Sequence, residues 1–224
     1  GGVAGLVAAI DMARAGLQIA LIEPKEFVEP QHNQHVRVIA LNVVSERILK
    51  NLGVWQKLSE AWVTPFREIA VSDAEGTGQV AFSYKDIGRA YLGHIVANCA
   101  LINVLLERAQ SLSCFTLLCP AEIQAFQIDP EQVKIKLADG RTLQTNLIVG
   151  ADGANSWIRN TLKIPVAEAA YDHTAIVATI KMNGVHQNIA RQRFMELGPI
   201  AFLPLKNQHH CSIVWSTSPE VAQE

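Results

Sequence analysis

The chain has no run of basic residues. Its net charge is −2, so nothing offers the cationic stripe that a phosphate backbone requires, and nucleic acid is not an expected partner. It is poor in cysteine, with Cys99, Cys114, Cys119 and Cys211 the only four. No two of them stand in a C-x-x-C or any other metal-ligand spacing, which points to buried, reduced thiols in a cytoplasmic protein. The pair His209-His210 does not repair that lack, because neighbours on a strand point to opposite faces. His32 and His35 fall in a polar loop, and no metal site is expected. No apolar run reaches membrane-spanning length, since Asp11 and Arg14 interrupt the first helical pattern. There is no visible secretory leader, internal repeat or low-complexity tract. At 224 residues and 49% hydrophobic, the chain has core enough for one large domain or one and a half.

What is present concentrates in a short stretch. Val149 to Arg159 reads Val-Gly-Ala-Asp-Gly-Ala-Asn-Ser-Trp-Ile-Arg. It places Asp152-Gly153 after an apolar strand, Leu147-Ile148-Val149, and before a short helical pattern. Ser156 and Arg159 complete a D-G-x-x-S-x-x-R spacing. An Asp-Gly pair is most simply a hairpin turn, and the chain contains a control for that reading. Asp139-Gly140 lies between Val133/Ile135/Leu137 and Leu143/Thr145/Leu147, which alternate with polar residues, so a hairpin is expected there. After Asp152-Gly153, Trp157, Ile158 and Leu162 recur at helical spacing instead. A carboxylate at the carboxyl end of a strand lies where open α/β sheets bind ligands.

The amino end supplies the matching signal. Gly1-Gly2-Val3-Ala4-Gly5 precedes Leu6, Val7, Ile10 and Ala13 at helical spacing, with Gly16 placed to end the helix. Gly2 and Gly5 match the last two glycines of G-x-G-x-x-G; the first would lie one residue before Gly1. Leu17 to Glu23 is an apolar strand ending in an acid about 20 residues on. Glycines let the backbone approach a pyrophosphate, the helix N-terminus offers unpaired N–H groups, and Glu23 can accept hydrogen bonds from a ribose. An acid at that place disfavours a phosphorylated ribose. The competing reading is a βα unit with no ligand.

Further along, a loop from Pro30 to His35 leads to Arg37 and a helix from Val43 to Leu52, then a short helix over Trp55 to Trp62. Ile69 to Ser72 and Val80 to Tyr84 read as short strands, and Ala97 to Ala109 as a strong helix. Phe115–Leu118, Ile123–Ile128, Val133–Leu137 and Thr142–Val149 read as strands. From Thr174 the character is β: Ile176–Ile180, Ala190–Phe194, Ile200–Leu203 and Cys211–Trp215. Pro165 and the polar stretch to Asp172 mark the boundary between a domain over 1–168, with short inserted strands at 68–84, and the first part of another over 169–224.

Taken together, Gly1 to Gly5, Glu23, the segment Arg37-Val-Ile-Ala-Leu41 and Asp152-Gly-x-x-Ser-x-x-Arg159 resemble the single-component FAD-dependent aromatic hydroxylases. Leu92-Gly-His-Ile-Val-Ala-Asn98, Val149 to Trp157, Ala201-Phe-Leu-Pro-Leu205 and Cys211-Ser-Ile-Val-Trp215 are similar to the ubiquinone-biosynthesis members, and most of all to the polyprenylphenol hydroxylases. The resemblance covers nearly the whole chain. It implies a Rossmann-like α/β FAD-binding domain of the p-hydroxybenzoate-hydroxylase type with an inserted β-rich substrate domain. It also implies that this is the front portion of a longer enzyme, inactive and poor in FAD alone, because the family's later Gly-Asp motif would lie beyond Glu224.

Carried over by residue, the resemblance places Gly2, Gly5, Asp152 and Gly153 at the FAD pyrophosphate and Glu23 at the adenosine ribose. Asp152 would act through water or backbone N–H groups, since two anions need a mediator. Arg37 is either a cationic contact to the cofactor or a surface ion-pair residue. Asn98 is either a helix N-cap or a flavin contact, and Arg159 a tether as much as a ligand. Phe194, Pro199 and Phe202 suit a wall over the flavin, with plain sheet core as the competing reading; no acid–base residue stands out. The implied chemistry is the cofactor's: NAD(P)H reduces FAD, oxygen adds to give a flavin hydroperoxide, and a lipid-tailed phenol is hydroxylated. Implied partners are that phenol, the inner-membrane surface, other ubiquinone-biosynthesis proteins and a second copy of the chain. Two other classes remain open, a flavin-dependent reductase or dehydrogenase of a prenyl lipid and a non-catalytic assembly partner.

Overall fold

The computed structural model describes residues 1–27, 37–58 and 60–223; His32 and His35 lie outside them. Helix α1 (Val3–Arg14) follows Gly2 and leads to β1 (Ile19–Ile22). Next come β2 (Val38–Asn42), α2 (Val43–Asn51), β3 (Val63–Phe66), β4 (Glu68–Asp73), β5 (Gln79–Ser83), β6 (Gly93–Ala97) and α3 (Asn98–Gln110). Strands β7 (Phe115–Leu118), β8 (Ile123–Ile128), β9 (Val133–Leu137) and β10 (Thr142–Thr145) precede the short helix α4 (Trp157–Thr161). The last part is β11 (Thr174–Lys181), β12 (Ile189–Phe194), β13 (Ile200–Pro204) and β14 (His210–Thr217). The α/β character read from the sequence is borne out.

The chain forms two compact units, Gly1–Glu29 with Ile102–Ala167, and Pro30–Leu101 with Glu168–Glu224. In the first, Leu6, Ala9, Ile10 and Ala13 share the buried face of α1, the three-and-four spacing of an amphipathic helix, and pack it on β1 and β7. Strands β1 and β7 pair in parallel with Ile19 beside Phe115. Strands β8, β9 and β10 form an antiparallel meander. Val133, Ile135 and Leu137 alternate inward along β9 and pack with Ala121, Phe126 and Ile148, the period-two burial of a one-sided sheet. The Asp139-Gly140 hairpin is as the sequence predicts: Lys136 opposes Thr142 and Gly140 takes a φ of 91°, where a side chain would be strained.

The second unit contains a three-stranded sheet, β2-β6-β3, and a six-stranded one, β11-β14-β13-β12-β4-β5. Every residue of β6 is buried, as fits a strand paired on both edges. The strands at 68–73 and 79–83 belong to the larger sheet: β4 runs parallel to β12, with Ile69 beside Ala190. Phe66, Ile95 and Ala190 form the buried centre of this unit's core.

Two elements differ from the sequence reading. Trp55 to Trp62 is two 3₁₀ turns, Trp55–Lys57 and Glu60–Trp62. The first ends at Leu58 in extended conformation, and a segment so short has too few hydrogen bonds to hold an α-helix. Leu147 to Val149 is not a strand. β10 ends at Thr145, whose hydroxyl donates to the Leu147 carbonyl and accepts from the Leu147 N–H, a local bond that competes with a ladder. Among the described residues no strand lies beside 147–149 to receive its backbone groups. No described helix is long and apolar enough to cross a membrane.

Candidate functional site

In the first unit the expected cofactor residues converge at the N-terminus of α1. Gly2 stands at the cap with φ −75° and ψ 175°, and the first turn of α1 carries no acidic side chain to compete for an anion. A Cβ built on Gly2 meets nothing within 4 Å, so this backbone faces open space. A Cβ on Gly5 would meet the Ala151 Cβ at 3.4 Å, so the helix lies directly on the segment that precedes Asp152. These are the two uses of glycine that a pyrophosphate site requires, close ligand approach and close helix packing. The first N–H groups of a helix have no intrahelical acceptor and carry its positive dipole end.

Glu23, just beyond β1, completes this end. Its Oε1 accepts from the Lys25 N–H at 3.0 Å. An ionised acceptor at this place suits ribose hydroxyls, which donate. The donor set, the open face of Gly2 and the uncontested helix end therefore fit a dinucleotide.

Asp152 has a structural task that the sequence only half disclosed. Its Oδ1 accepts from the Ser156 hydroxyl and its Oδ2 from the Ile158 N–H at 3.1 Å, while Ser156 caps α4 by accepting from the Arg159 N–H at 3.0 Å. Burial raises the Asp152 carboxyl, yet the Ser156, Ile158 and Trp157 donors prevail and lower it. The D-x-x-x-S spacing thus ties the loop to the helix through two side chains. Gly153 turns at φ 85°, which only glycine adopts freely. Asp139 instead sits in an exposed hairpin and pairs with its neighbour Arg141. Asp152→Ala is therefore expected to lower flavin retention about tenfold, ~1.4 kcal/mol in binding, whereas Asp139→Ala leaves it unchanged. Flavin-to-protein absorbance ratios after gel filtration check this, and equal losses would reduce Asp152 to a turn residue.

The other expected residues lie in the second unit. Arg37 and Asn98 are brought together: the Asn98 N–H donates to the Arg37 carbonyl at 3.1 Å, and Val38 pairs with Ala97. Asn98 is the first residue of α3 rather than its cap. Phe202 opposes Arg191 across β12 and β13, so by alternation Phe194 is on the opposite sheet face. Phe202 lines an apolar hollow of about 270 Å³ with Met182, Val185, Arg191 and Cys211; Phe194 is 48% exposed. Pro199 contributes its carbonyl to the Ser216 N–H. A single wall made of Phe194 and Phe202 is not what this register builds.

Sequence reasoning missed a buried polar group in the second unit. Glu46, 4% exposed, accepts from the Tyr91 hydroxyl at 2.7 Å, pairs with Lys50 and faces His94 Nδ1 at 3.3 Å. The Glu46/Lys50 spacing of four was visible as a helix-surface pair; the approach of Tyr91 and His94 across the fold was not. Burial raises Glu46, but Lys50, Tyr91 and His94 together draw it below its ordinary 4.5. Burial is the main cause that lowers His94 below its ordinary 6.5. Both shifts make the unfolded chain the better proton acceptor, so both lose stability as pH falls. His94 does so as pH drops below 6.5 toward its folded value, and Glu46 below 4.5. The melting temperature should fall in two stages on acidification, and His94→Phe should remove the first; a single stage unaffected by that change would contradict the assignment.

A glycine-initiated helix, a following strand with an acid just beyond its end and an Asp-Gly loop packed beneath the helix together mark a nucleotide-binding domain. Residues 1–224 match the FAD binding domain family, and the chain belongs to that family. Among its relatives are the mitochondrial ubiquinone biosynthesis monooxygenase of Danio rerio, 30% identical over 96% of this chain and 47% of that protein, and the 3-demethoxyubiquinol 3-hydroxylase of Escherichia coli, 29% identical over 98% and 56%. The chain spans about half the length of the curated relatives it matches. In fold it is similar to a probable FAD-dependent monooxygenase from Pseudomonas aeruginosa, with a TM-score of 0.82 at 22% identity over 99% of this chain and 60% of that one. The resemblance read from the motifs is borne out.

Proposed function

We propose that the protein is an FAD-dependent monooxygenase that hydroxylates a prenylated phenol in ubiquinone biosynthesis, with NAD(P)H as reductant. The observation that carries this reading is the convergence of Gly2, Gly5, Glu23 and the Ala151–Gly153 loop at one helix end, in a chain whose relatives include ubiquinone-biosynthesis hydroxylases. FAD, when bound, supplies the electron transfer and oxygen activation that no side chain provides.

The residues of this chain would bind and orient. The α1 N-terminus would receive the pyrophosphate, with Gly2 admitting close approach and the Asp152–Ser156 pair fixing the loop beneath. Glu23 would accept from the adenosine ribose. Arg37 and Asn98, joined by a backbone bond, would present a cation and an amide together. The six-stranded sheet, with Phe202 and its apolar neighbours, would shelter a phenolic ring and its tail from water. A lipid-tailed substrate also favours contact with a membrane surface.

The test is reductant consumption. The full-length protein, loaded with flavin and given NADH or NADPH, should oxidise it slowly alone and at least tenfold faster with a prenylphenol. Oxidation indifferent to the phenol would remove the reading.

A further inference from the structure

One edge of the six-stranded sheet is β5, which among the described residues pairs only with β4. The Tyr84 N–H donates to the Arg67 carbonyl and the Asp73 N–H to the Gly78 carbonyl, so the even-numbered positions of β5 direct their backbone groups at β4. Antiparallel alternation then turns the N–H and C=O of Gln79, Ala81 and Ser83 outward. Of these, the Ser83 N–H is already satisfied by the Asp86 carboxylate at 3.0 Å. Sheet edges are commonly blunted by a lysine, a proline or a bulge, and β5 carries none of them. Val80 and Phe82 project from one of its faces, each 54% exposed. The opposite edge of the sheet, β11, is packed by the 3₁₀ turn Val221–Gln223 and ends in Lys181.

We propose that β5 pairs antiparallel with β5 of a second copy of this chain, about a two-fold axis at Ala81, joining the two six-stranded sheets into one. The register follows from the groups left free. Centring on Ala81, the middle residue, pairs the whole strand. Ala81 exchanges both backbone bonds with its counterpart, and each Gln79 N–H reaches the other strand's Ser83 carbonyl, so the capped Ser83 N–H is not needed. Val80 then faces Phe82 of the other copy in a non-hydrogen-bonded pair, where side chains lie closest, and one such aromatic–β-branched pair forms on each side of the axis. Charge sets the direction. Asp73 and Glu75 precede β5, and Lys85 and Arg89 follow it. Antiparallel strands bring the acids of one copy to the cations of the other, whereas parallel strands would set acid beside acid. The turn into β5 is slim, and a Cβ on Gly78 meets nothing within 4 Å. A surface that complements itself about one axis is what a two-fold dimer requires. None of the residues assigned to FAD takes part, so the pairing stands apart from the hydroxylase reading.

Analytical ultracentrifugation of the full-length, flavin-loaded protein tests this. One short strand buries far less than the roughly 1,600 Å² of a standard interface, so the association step should be weak, with a dissociation constant on the order of 10–100 µM. It should weaken further as salt rises. Phe82→Lys, at an exposed position, should raise that constant at least tenfold and leave the melting temperature unchanged. Cysteine placement reads the register. Ala81→Cys should cross-link to its own copy on mild oxidation, above the level of the unaltered protein, because hydrogen-bonded pairs lie about 5.5 Å apart between Cα atoms and disulfides span that distance. Lys85→Cys, roughly 20 Å or more from its counterpart, should not. An association step indifferent to Phe82→Lys, or equal cross-linking of the two cysteine variants, would overturn the proposal. A protein that stays monomeric up to about 1 mM would overturn it as well, and would leave β5 to a different partner.

Discussion

Glu23→Arg is expected to lower FAD affinity by at least about two orders of magnitude. In the folded chain the Glu23 carboxylate is fixed just beyond β1 by the Lys25 N–H. Two ribose hydroxyls donating to it would each contribute about 1.5–3 kcal/mol, the range for hydrogen bonds to charged groups. Each ~1.4 kcal/mol is tenfold in affinity. Arginine removes the acceptor and offers only donors, so the hydroxyl hydrogens lose the charged partner they donate to. Quenching of FAD fluorescence on titration with protein gives the affinity, and a thermal melt shows that the fold is retained. Unchanged affinity in a folded variant would sink the assignment of the opening helix–strand unit.

Gly2→Ala separates cofactor binding from folding. The backbone at Gly2, φ −75° and ψ 175°, is accessible to any residue, and an added methyl meets no protein atom within 4 Å. Alanine is a poorer cap than glycine, so a stability loss under about 1 kcal/mol is expected. The methyl would instead stand where the pyrophosphate approaches the backbone, and affinity should fall by about two orders of magnitude, ~2.8 kcal/mol. The same titration and melt decide. A variant that binds FAD normally would mean that the open space at Gly2 is not where the phosphates lie.

Much of this site was legible because its rules are local. The helical recurrence of Leu6, Val7, Ile10 and Ala13 fixes α1, although Ala9 rather than Val7 joins its buried face, and strand length with the acid at its end fixes Glu23. The two Asp-Gly pairs differ in the residues on their carboxyl side, alternating about Leu143 in one case and at helical spacing from Trp157 in the other. Residues 147–149 were misread because an apolar run states that a segment is buried or extended, not that a neighbour exists to pair with it. The Glu46, Tyr91 and His94 group was invisible for a different reason. Tyr91 is 45 positions from Glu46 and meets it only because β6 pairs with β2, whose end, Asn42, caps α2. The opposite facing of Phe194 and Phe202 likewise comes from the β12–β13 register, which spacing in the sequence does not set.

The proposed reaction places one atom of molecular oxygen on a phenolic ring. The full-length protein loaded with flavin, NAD(P)H and a prenylphenol, incubated under isotopically heavy oxygen, test it directly by mass spectrometry of the product. The expected product carries one heavy oxygen atom per ring hydroxyl formed, with one reductant consumed for each. A reduced or dehydrogenated prenyl lipid without heavy oxygen, formed equally well under nitrogen, would contradict the account and make the protein a reductase or dehydrogenase on the same scaffold.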